Sequence, residues 1–113
     1  MKTNSSNESR RARRNLTNTM KEKYRRSDVV TLVTAGGEMV GRLKEENDTG
    51  ITLESPRAFV QTEKGVGFAP SVCLTGESQP NEVTFYKAGV ILMCNSSDEV
   101  SKMWLQATTG LVV

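Results

Sequence analysis

All nine glycines and all three prolines of this 113-residue chain lie beyond Ala35. Because these residue types end helices and shape turns, the chain beyond Ala35 must fold from short segments joined by turns. Charge divides the sequence at nearly the same place. Residues 1–26 contain nine Lys or Arg and two Glu, a net charge of +7, whereas residues 27–113 contain six basic and eleven acidic side chains, a net charge of −5. We therefore predict a basic arm over residues 1–26 and one folded domain over residues 27–113.

The arm has the composition of a disordered start followed by a helix. Residues 1–7 are polar and cannot bury enough surface to offset the entropy of ordering, so we expect them to be disordered. Residues 8–26 contain no helix breaker, and every fourth residue is apolar, which on a helix makes one narrow stripe. The stripe consists of Ala12, Leu16, Met20 and Tyr24. A helix of this kind must dock on another surface to persist.

After residue 28 the pattern becomes that of β-strands. Residues 29–34 are rich in β-branched side chains, and Gly36 and Gly37 can supply the positive φ that a tight hairpin turn needs. Apolar and polar residues alternate over 38–44, where Gly41 indicates a bend or a close approach of another backbone. The further predicted strands are residues 51–54, with a candidate continuation over 58–62 after Pro56, then 68–74, 83–87 and 90–93.

The last part of the chain contains clear signals for a bend and for the two ends of a helix. Only Ala88 and Gly89 separate the last two predicted strands, so we expect the chain to bend at Gly89 and continue on the other side of a barrel. Ser96 and Glu99 have the spacing of a capping box, which predicts the start of a C-terminal helix that Gly110 can end. Its predicted apolar face consists of Val100, Met103, Trp104 and Ala107. We expect Phe68 and Trp104 to lie in the core or at an interface, and Phe85 and Tyr86 to point to opposite sides of one strand.

Composition argues against catalysis and against metal or cofactor binding. The chain has no histidine and only two cysteines, Cys73 and Cys94, so it lacks an imidazole base and a multi-ligand zinc site. We interpret both cysteines as buried small hydrophobic residues in a reducing compartment. Glu45 and Glu46 stand in a predicted turn beside Asp48, where water screens their charges. We predict a protein that is not an enzyme, with no cofactor and no small-molecule substrate.

The sequence also favours a cytoplasmic protein without a membrane partner. The longest apolar run, residues 89–94, is far shorter than the roughly 20 residues needed to cross a bilayer. Met1 and Lys2 are not followed by an apolar stretch, so they do not begin a secretory signal.

The motifs of the body resemble those of a known family. The turn at residues 36–37, the strand Val40-Gly41-Arg42-Leu43 and residues 48–53 resemble the first signature of the Sm, LSm and Hfq-like proteins. Residues 86–89, before an apolar strand, are similar to the second signature. Residues 65–70 and 106–113 look like segments of the Sm-like proteins of marine cyanophages and ocean metagenomes.

This resemblance implies a fold, an assembly and a setting. The implied fold is mainly β, a strongly bent five-stranded Sm-like (SH3-like) open barrel with an N-terminal helix and a short C-terminal helix. Exposed edge strands would pair between subunits and close a ring, which removes the unpaired edges. Rings of five to seven subunits are compatible with the resemblance, and the short strands favour the smaller rings. The implied setting is the cytoplasm of a host cyanobacterium infected by a phage that encodes the protein.

Two groups of residues are candidates for binding single-stranded RNA. In the arm, arginine side chains can neutralise phosphates, or can simply keep a helix face solvated. These are Arg10, Arg11, Arg13, Arg14, Arg25 and Arg26. On the pore side of the implied ring, the resemblance points to Asp48, Thr52 and Lys87. For Lys87 the alternative is an exposed lysine beside the bend at Gly89.

Two positions depart from the family pattern and leave two functions open. Where the family commonly has an aromatic or His that stacks on uracil, and an Asn that hydrogen-bonds the base, this chain has Gly50 and Thr52. Gly50 has no stacking surface, and Thr52 has one hydroxyl in place of an amide. The first hypothesis is a ring that binds single-stranded RNA, mainly through its arms. The alternative is a ring-shaped protein–protein scaffold of a phage without base-specific RNA recognition.

Overall fold

The computed structural model describes residues 28–110, which form one antiparallel sheet and one helix. The predicted helix and the arginines of residues 1–26 lie outside the described residues. The strands are β1 (Val29–Thr34), β2 (Gly37–Glu46), β3 (Gly50–Thr62), β4 (Gly65–Phe68), β5 (Glu82–Tyr86) and β6 (Val90–Asn95). A 3-10 turn (Lys87–Gly89) joins the last two strands, and the helix α1 spans Asp98–Thr109. The mainly β prediction and the C-terminal helix are therefore confirmed.

The strands pair in the order β4-β3-β2-β1-β6, and β5 also pairs with β3. β5 lies along the first half of β3, where Gly50 is opposite Tyr86, and β4 lies along the second half, where Phe59 is opposite Phe68. The register of β2 against β3 shifts twice, between Val40 and Arg42 and between Leu43 and Glu45. Such irregularities bend the two longest strands.

The two faces of the sheet are buried in different ways. One face forms the apolar core, in which alternate residues of the first three strands pack together: Val30, Leu32, Met39, Leu43, Ile51 and Leu53. On the opposite face of β2, Val40 is also buried, and α1 brings in the buried Trp104. The guanidinium of Arg42 lies 5.1 Å from the centre of the Trp104 ring. Each fully buried aliphatic side chain contributes roughly 1.5–3 kcal/mol.

Several local predictions are wrong. Residues 68–74 do not form a strand, since β4 ends at Phe68 and residues 69–81 are irregular. The Ala58 carbonyl oxygen accepts from the Ala69 N–H, but the Ala58 N–H donates to the Ser71 carbonyl oxygen, so regular pairing stops at this point. The Pro70 carbonyl oxygen accepts instead from the Gln79 N–H within the irregular segment. Both cysteines are exposed rather than buried: Cys73 lies in the irregular segment and Cys94 on β6.

Two further errors concern the start of α1 and its predicted apolar face. Ser97, not Ser96, caps the helix, because its hydroxyl accepts from the Val100 N–H at 3.2 Å while Ser96 shares a 2.8 Å hydrogen bond with Thr31. Ala107 is exposed, although Trp104 of the same predicted face is buried. Gly110 ends the helix at φ +78°, as predicted.

Candidate nucleic-acid interface

Two loops meet where β3 begins and β5 ends. The antiparallel pairing of β3 with β5 places Gly50 opposite Tyr86. Immediately beyond this pair, the Lys87 N–H donates to the Thr49 carbonyl oxygen at 2.8 Å. The loop of residues 47–49 and the turn of residues 87–89 are therefore fixed beside each other, and we call the two together the loop pair.

Asn47 gives the first loop its shape. Its side-chain oxygen accepts from the Thr49 N–H at 3.0 Å, from the Gly50 N–H at 2.9 Å and from the Thr49 hydroxyl at 3.2 Å. The Asn47 N–H in turn donates to the Gly50 carbonyl oxygen at 3.0 Å. These bonds satisfy the backbone of a tight turn and leave Asp48 exposed at its tip.

Lys87, the cation of the loop pair, is partly neutralised by a salt bridge. Lys87 Nζ lies 2.9 Å from Glu46 Oε2, and both side chains are about one-third exposed, at 37% and 35%. Such a pair is worth little at the surface, so the ammonium group can exchange Glu46 for another anion at low cost. Glu45 and Asp48, which neighbour Glu46 and Asn47 in the sequence, are also exposed, so acidic side chains outnumber the single cation in this part of the chain.

Thr52, the third residue predicted on the pore side, forms a hydrogen bond within the sheet. Thr52 Oγ1 shares a 2.8 Å hydrogen bond with Thr84 Oγ1 on the neighbouring β5. The structure thus brings the loop that carries Asp48 together with Lys87, while Thr52 lies farther along β3 and is engaged with Thr84.

Packing explains why position 50 is a glycine. A Cβ at Gly50 would approach Thr84 Cγ2 to 3.0 Å and the Phe85 carbonyl oxygen to 3.5 Å. The aromatic ring next to this position belongs to its register partner Tyr86, which is 70% exposed, while Phe85 packs against the core. The alternation predicted for these two aromatics is confirmed. Sequence reasoning did not assign Tyr86, Glu46 or Asn47 to the site, although the Asn-Asp-Thr-Gly sequence is itself a turn signal.

The described chain begins close to this region. The Asp28 carbonyl oxygen accepts a 2.8 Å hydrogen bond from the Leu43 N–H, on the strand that leads to Glu46 and Asn47. The basic residues 1–26 are joined to the domain at this point. The described residues carry six basic and eleven acidic side chains, a net charge of −5, so positive charge is concentrated outside them.

Three strands have an unpaired edge within residues 28–110. β4 and β5 each pair only with β3, and β6 pairs only with β1. Ile91 and Leu92 on β6 are 69% and 47% exposed. Exposed apolar side chains on an edge strand are typical of a surface that pairs with another chain.

Comparison with known proteins gives no family: no family model matches this chain, and no curated protein matches it. Among residues 28–110, no three His, Cys, Asp or Glu side chains are grouped so that they could hold a metal ion. The helix in the described part of the chain is too short and too polar to cross a membrane.

Proposed function

We propose that this protein is an Sm-like protein that forms a homo-oligomeric ring and binds single-stranded RNA without catalysing a reaction. The observation that carries the proposal is the loop pair, in which the Lys87–Thr49 hydrogen bond holds a cation, a polar turn and the exposed Tyr86 at one surface. A phage origin and action in the host cytoplasm belong to the same proposal.

From the distribution of charge, we attribute most of the affinity for RNA to the arm. The domain carries a net charge of −5, and Lys87 is already paired with Glu46, so its surface repels phosphates except at the loop pair. The arm carries +7. Each phosphate that the arm engages should add about 0.7 to the slope of log affinity against log salt. Arm and loop pair then have separate roles, since the arm attracts the RNA and the loop pair positions it.

Tyr86 compensates for the glycine at position 50. Single-stranded RNA is commonly held by stacking of its bases on exposed aromatic rings. Gly50 cannot supply such a ring, and Thr84 leaves no room for one there. We assign the stacking role to Tyr86, which lies directly opposite on β5.

The unpaired edges support the ring. An edge of β6 with exposed Ile91 and Leu92 can pair with the edge of β5 in the next subunit, and repeating this contact closes a ring. Replacing Ile91 by Glu should therefore break this contact and reduce the mass of the particle to that of one or two chains.

A variant pair of equal charge change tests the role of the arm. In the first variant Arg11, Arg13 and Arg14 become Gln, and in the second Lys44, Lys64 and Lys102 of the domain become Gln. We expect the arm variant to bind a fluorescent single-stranded RNA more weakly and with a salt slope reduced by up to about 2. The domain variant should bind as the unmodified chain does. Equal losses in the two variants would contradict arm-driven binding.

The second candidate function is the ring-shaped protein–protein scaffold. It is favoured by Gly50 and by the Thr52 hydroxyl, which is engaged with Thr84 instead of being free for a base. A particle of ring size that binds no RNA at low salt, in either the unmodified chain or its variants, would decide for the scaffold.

A further inference from the structure

An open apolar cleft lies at the end of β3 opposite the loop pair. Its volume is about 410 Å³. Met39, Ala58 and Val60 line it from the sheet, and Pro70, Val72 and Leu74 line it from the irregular segment of residues 69–81. Met39, Ala58 and Val72 also belong to the core or pack against it, so the cleft is a place where the apolar interior reaches the surface.

Leu74 protrudes from the rim of this cleft. It is fully exposed, at 103%, and is the most exposed large apolar side chain of residues 28–110. A leucine held in water forgoes roughly 1.5–3 kcal/mol that burial would provide. One surface therefore carries both an unburied apolar side chain and an apolar cleft in which such a side chain could be buried.

We infer that this surface binds a second copy of the same chain, with Leu74 of each copy inserted into the cleft of the other. A two-fold contact requires one surface to be complementary to itself, and a protruding side chain beside a cleft meets that requirement. Every residue that lines the cleft is uncharged, so two such surfaces can meet without repulsion between like charges. The contact closes after two copies because the side chain and the cleft lie on the same face.

This contact is separate from the proposed ring and does not depend on it. The cleft is lined by the second half of β3, whereas the loop pair adjoins its first residue, Gly50, and the edges proposed to pair in the ring belong to β5 and β6. If rings form, the contact joins two of them, and if they do not, it joins two chains. In either case its loss halves the mass of the particle and leaves RNA binding per chain unchanged.

The experiment compares Leu74→Asp with Thr75→Asp in the full chain. Both variants add one negative charge to the same exposed segment, but Thr75 does not line the cleft. We expect the mass measured by light scattering to fall twofold for L74D and to stay unchanged for T75D. Since Leu74 is fully exposed within one chain, L74D should fold normally, and its circular dichroism spectrum should match that of the unmodified chain.

A thiol measurement gives a second, independent readout. Cys73 lines the cleft, and replacing Cys94 by Ser leaves it as the only thiol of the chain. In this C94S background, Cys73 should react slowly with Ellman's reagent at high protein concentration, faster on dilution, and fast at every concentration once L74D is added. Equal masses for C94S with and without L74D would overturn the inference. Equal reaction rates of Cys73 with and without L74D would also overturn it. An apolar dye that binds in the cleft without a change of mass would overturn it too, and would indicate that the cleft binds a small apolar ligand.

Discussion

The indole nitrogen of Trp104 donates a 2.9 Å hydrogen bond to the carbonyl oxygen of Ser55, 49 residues earlier in the chain. Ser55 lies in the middle of β3 with a φ of +47°, which is uncommon for a residue other than glycine. The bond thus attaches α1 at the point where the longest strand departs from regular geometry. Trp104 is only 2% exposed and is the buried residue of α1, so the same side chain also anchors the helix by its apolar contact.

Replacing Trp104 by Phe should destabilise the protein by about 1–3 kcal/mol. Phenylalanine keeps most of the apolar contact but cannot donate, so the Ser55 carbonyl oxygen loses its partner inside the protein. Urea unfolding followed by circular dichroism measures the change, with Met103→Leu as a variant of the same helix that preserves volume. A free energy of unfolding for Trp104→Phe equal to that of Met103→Leu would contradict the role given to the hydrogen bond.

Replacing Gly41 by Ala should destabilise the protein by about 1–3 kcal/mol. A Cβ at this position would lie 3.0 Å from Leu53 Cβ and 3.1 Å from the Glu54 carbonyl oxygen, neither of which can move freely. Gly67 provides the matched control, because a Cβ there meets nothing within 4 Å and the residue is also in a strand. Thermal unfolding should therefore separate the two alanine variants, and identical midpoints would show that β2 and β3 do not approach closely at Gly41.

Replacing Lys87 by Gln should weaken RNA binding and reduce its salt slope by about 0.7–1. Lys44 offers a close control, because its ammonium group is also exposed and also paired with a glutamate, at 2.6 Å from Glu82. The hydrogen bond and the charge of Glu82 raise the pKa of Lys44, so this control is a full cation at neutral pH. If Lys44→Gln reduces binding as much as Lys87→Gln does, the loop pair has no particular role.

Replacing Tyr86 by Leu should lower RNA affinity by about 1 kcal/mol or more, since one base loses its stacking surface. Tyr86→Phe keeps the ring and should bind as the unmodified chain does. Quenching of a fluorescent oligonucleotide gives the affinity, and light scattering of the same samples gives the mass. A variant Tyr86→Leu that binds normally but forms a smaller particle would place Tyr86 at a subunit contact instead.

Much of the sheet follows from local patterns in the sequence. The hairpin of β1 and β2 is encoded by β-branched residues and by a glycine turn, in which Gly37 adopts a φ of +127°. The strand from Gly50 continues through Pro56 to Thr62, as the candidate continuation predicted. These features depend on side-chain alternation and on glycine, both of which are visible without knowledge of the fold.

The failures arise where distant residues decide the outcome. The spacing to Glu99 favours Ser96 as the cap, but Ser96 hydrogen-bonds the distant Thr31, and Ser97 caps the helix instead. For residues 69–81, hydrogen bonds from Ala58 to Ser71 and from Gln79 to Pro70 replace a regular ladder, and these pairings are not visible in the local pattern.

The candidate site was likewise only partly predictable from the sequence. Lys87 and the loop that carries Asp48 are recognisable as motifs, but their contact depends on the pairing of β5 with the first half of β3. The role assigned to Tyr86 depends on the same pairing, because register alone places it opposite Gly50. The arginines of the arm were found from charge, and their contribution rests on the binding experiments.

One titration shows whether this chain forms a ring that binds single-stranded RNA. A fluorescent oligo(U) and a mixed-sequence RNA are titrated with the full chain at low and moderate salt, and the mass is measured by light scattering in the same buffers. We predict a particle of five or more chains whose RNA affinity falls steeply as salt rises. A single chain in solution, or a particle that binds neither RNA at low salt, would contradict the proposed function.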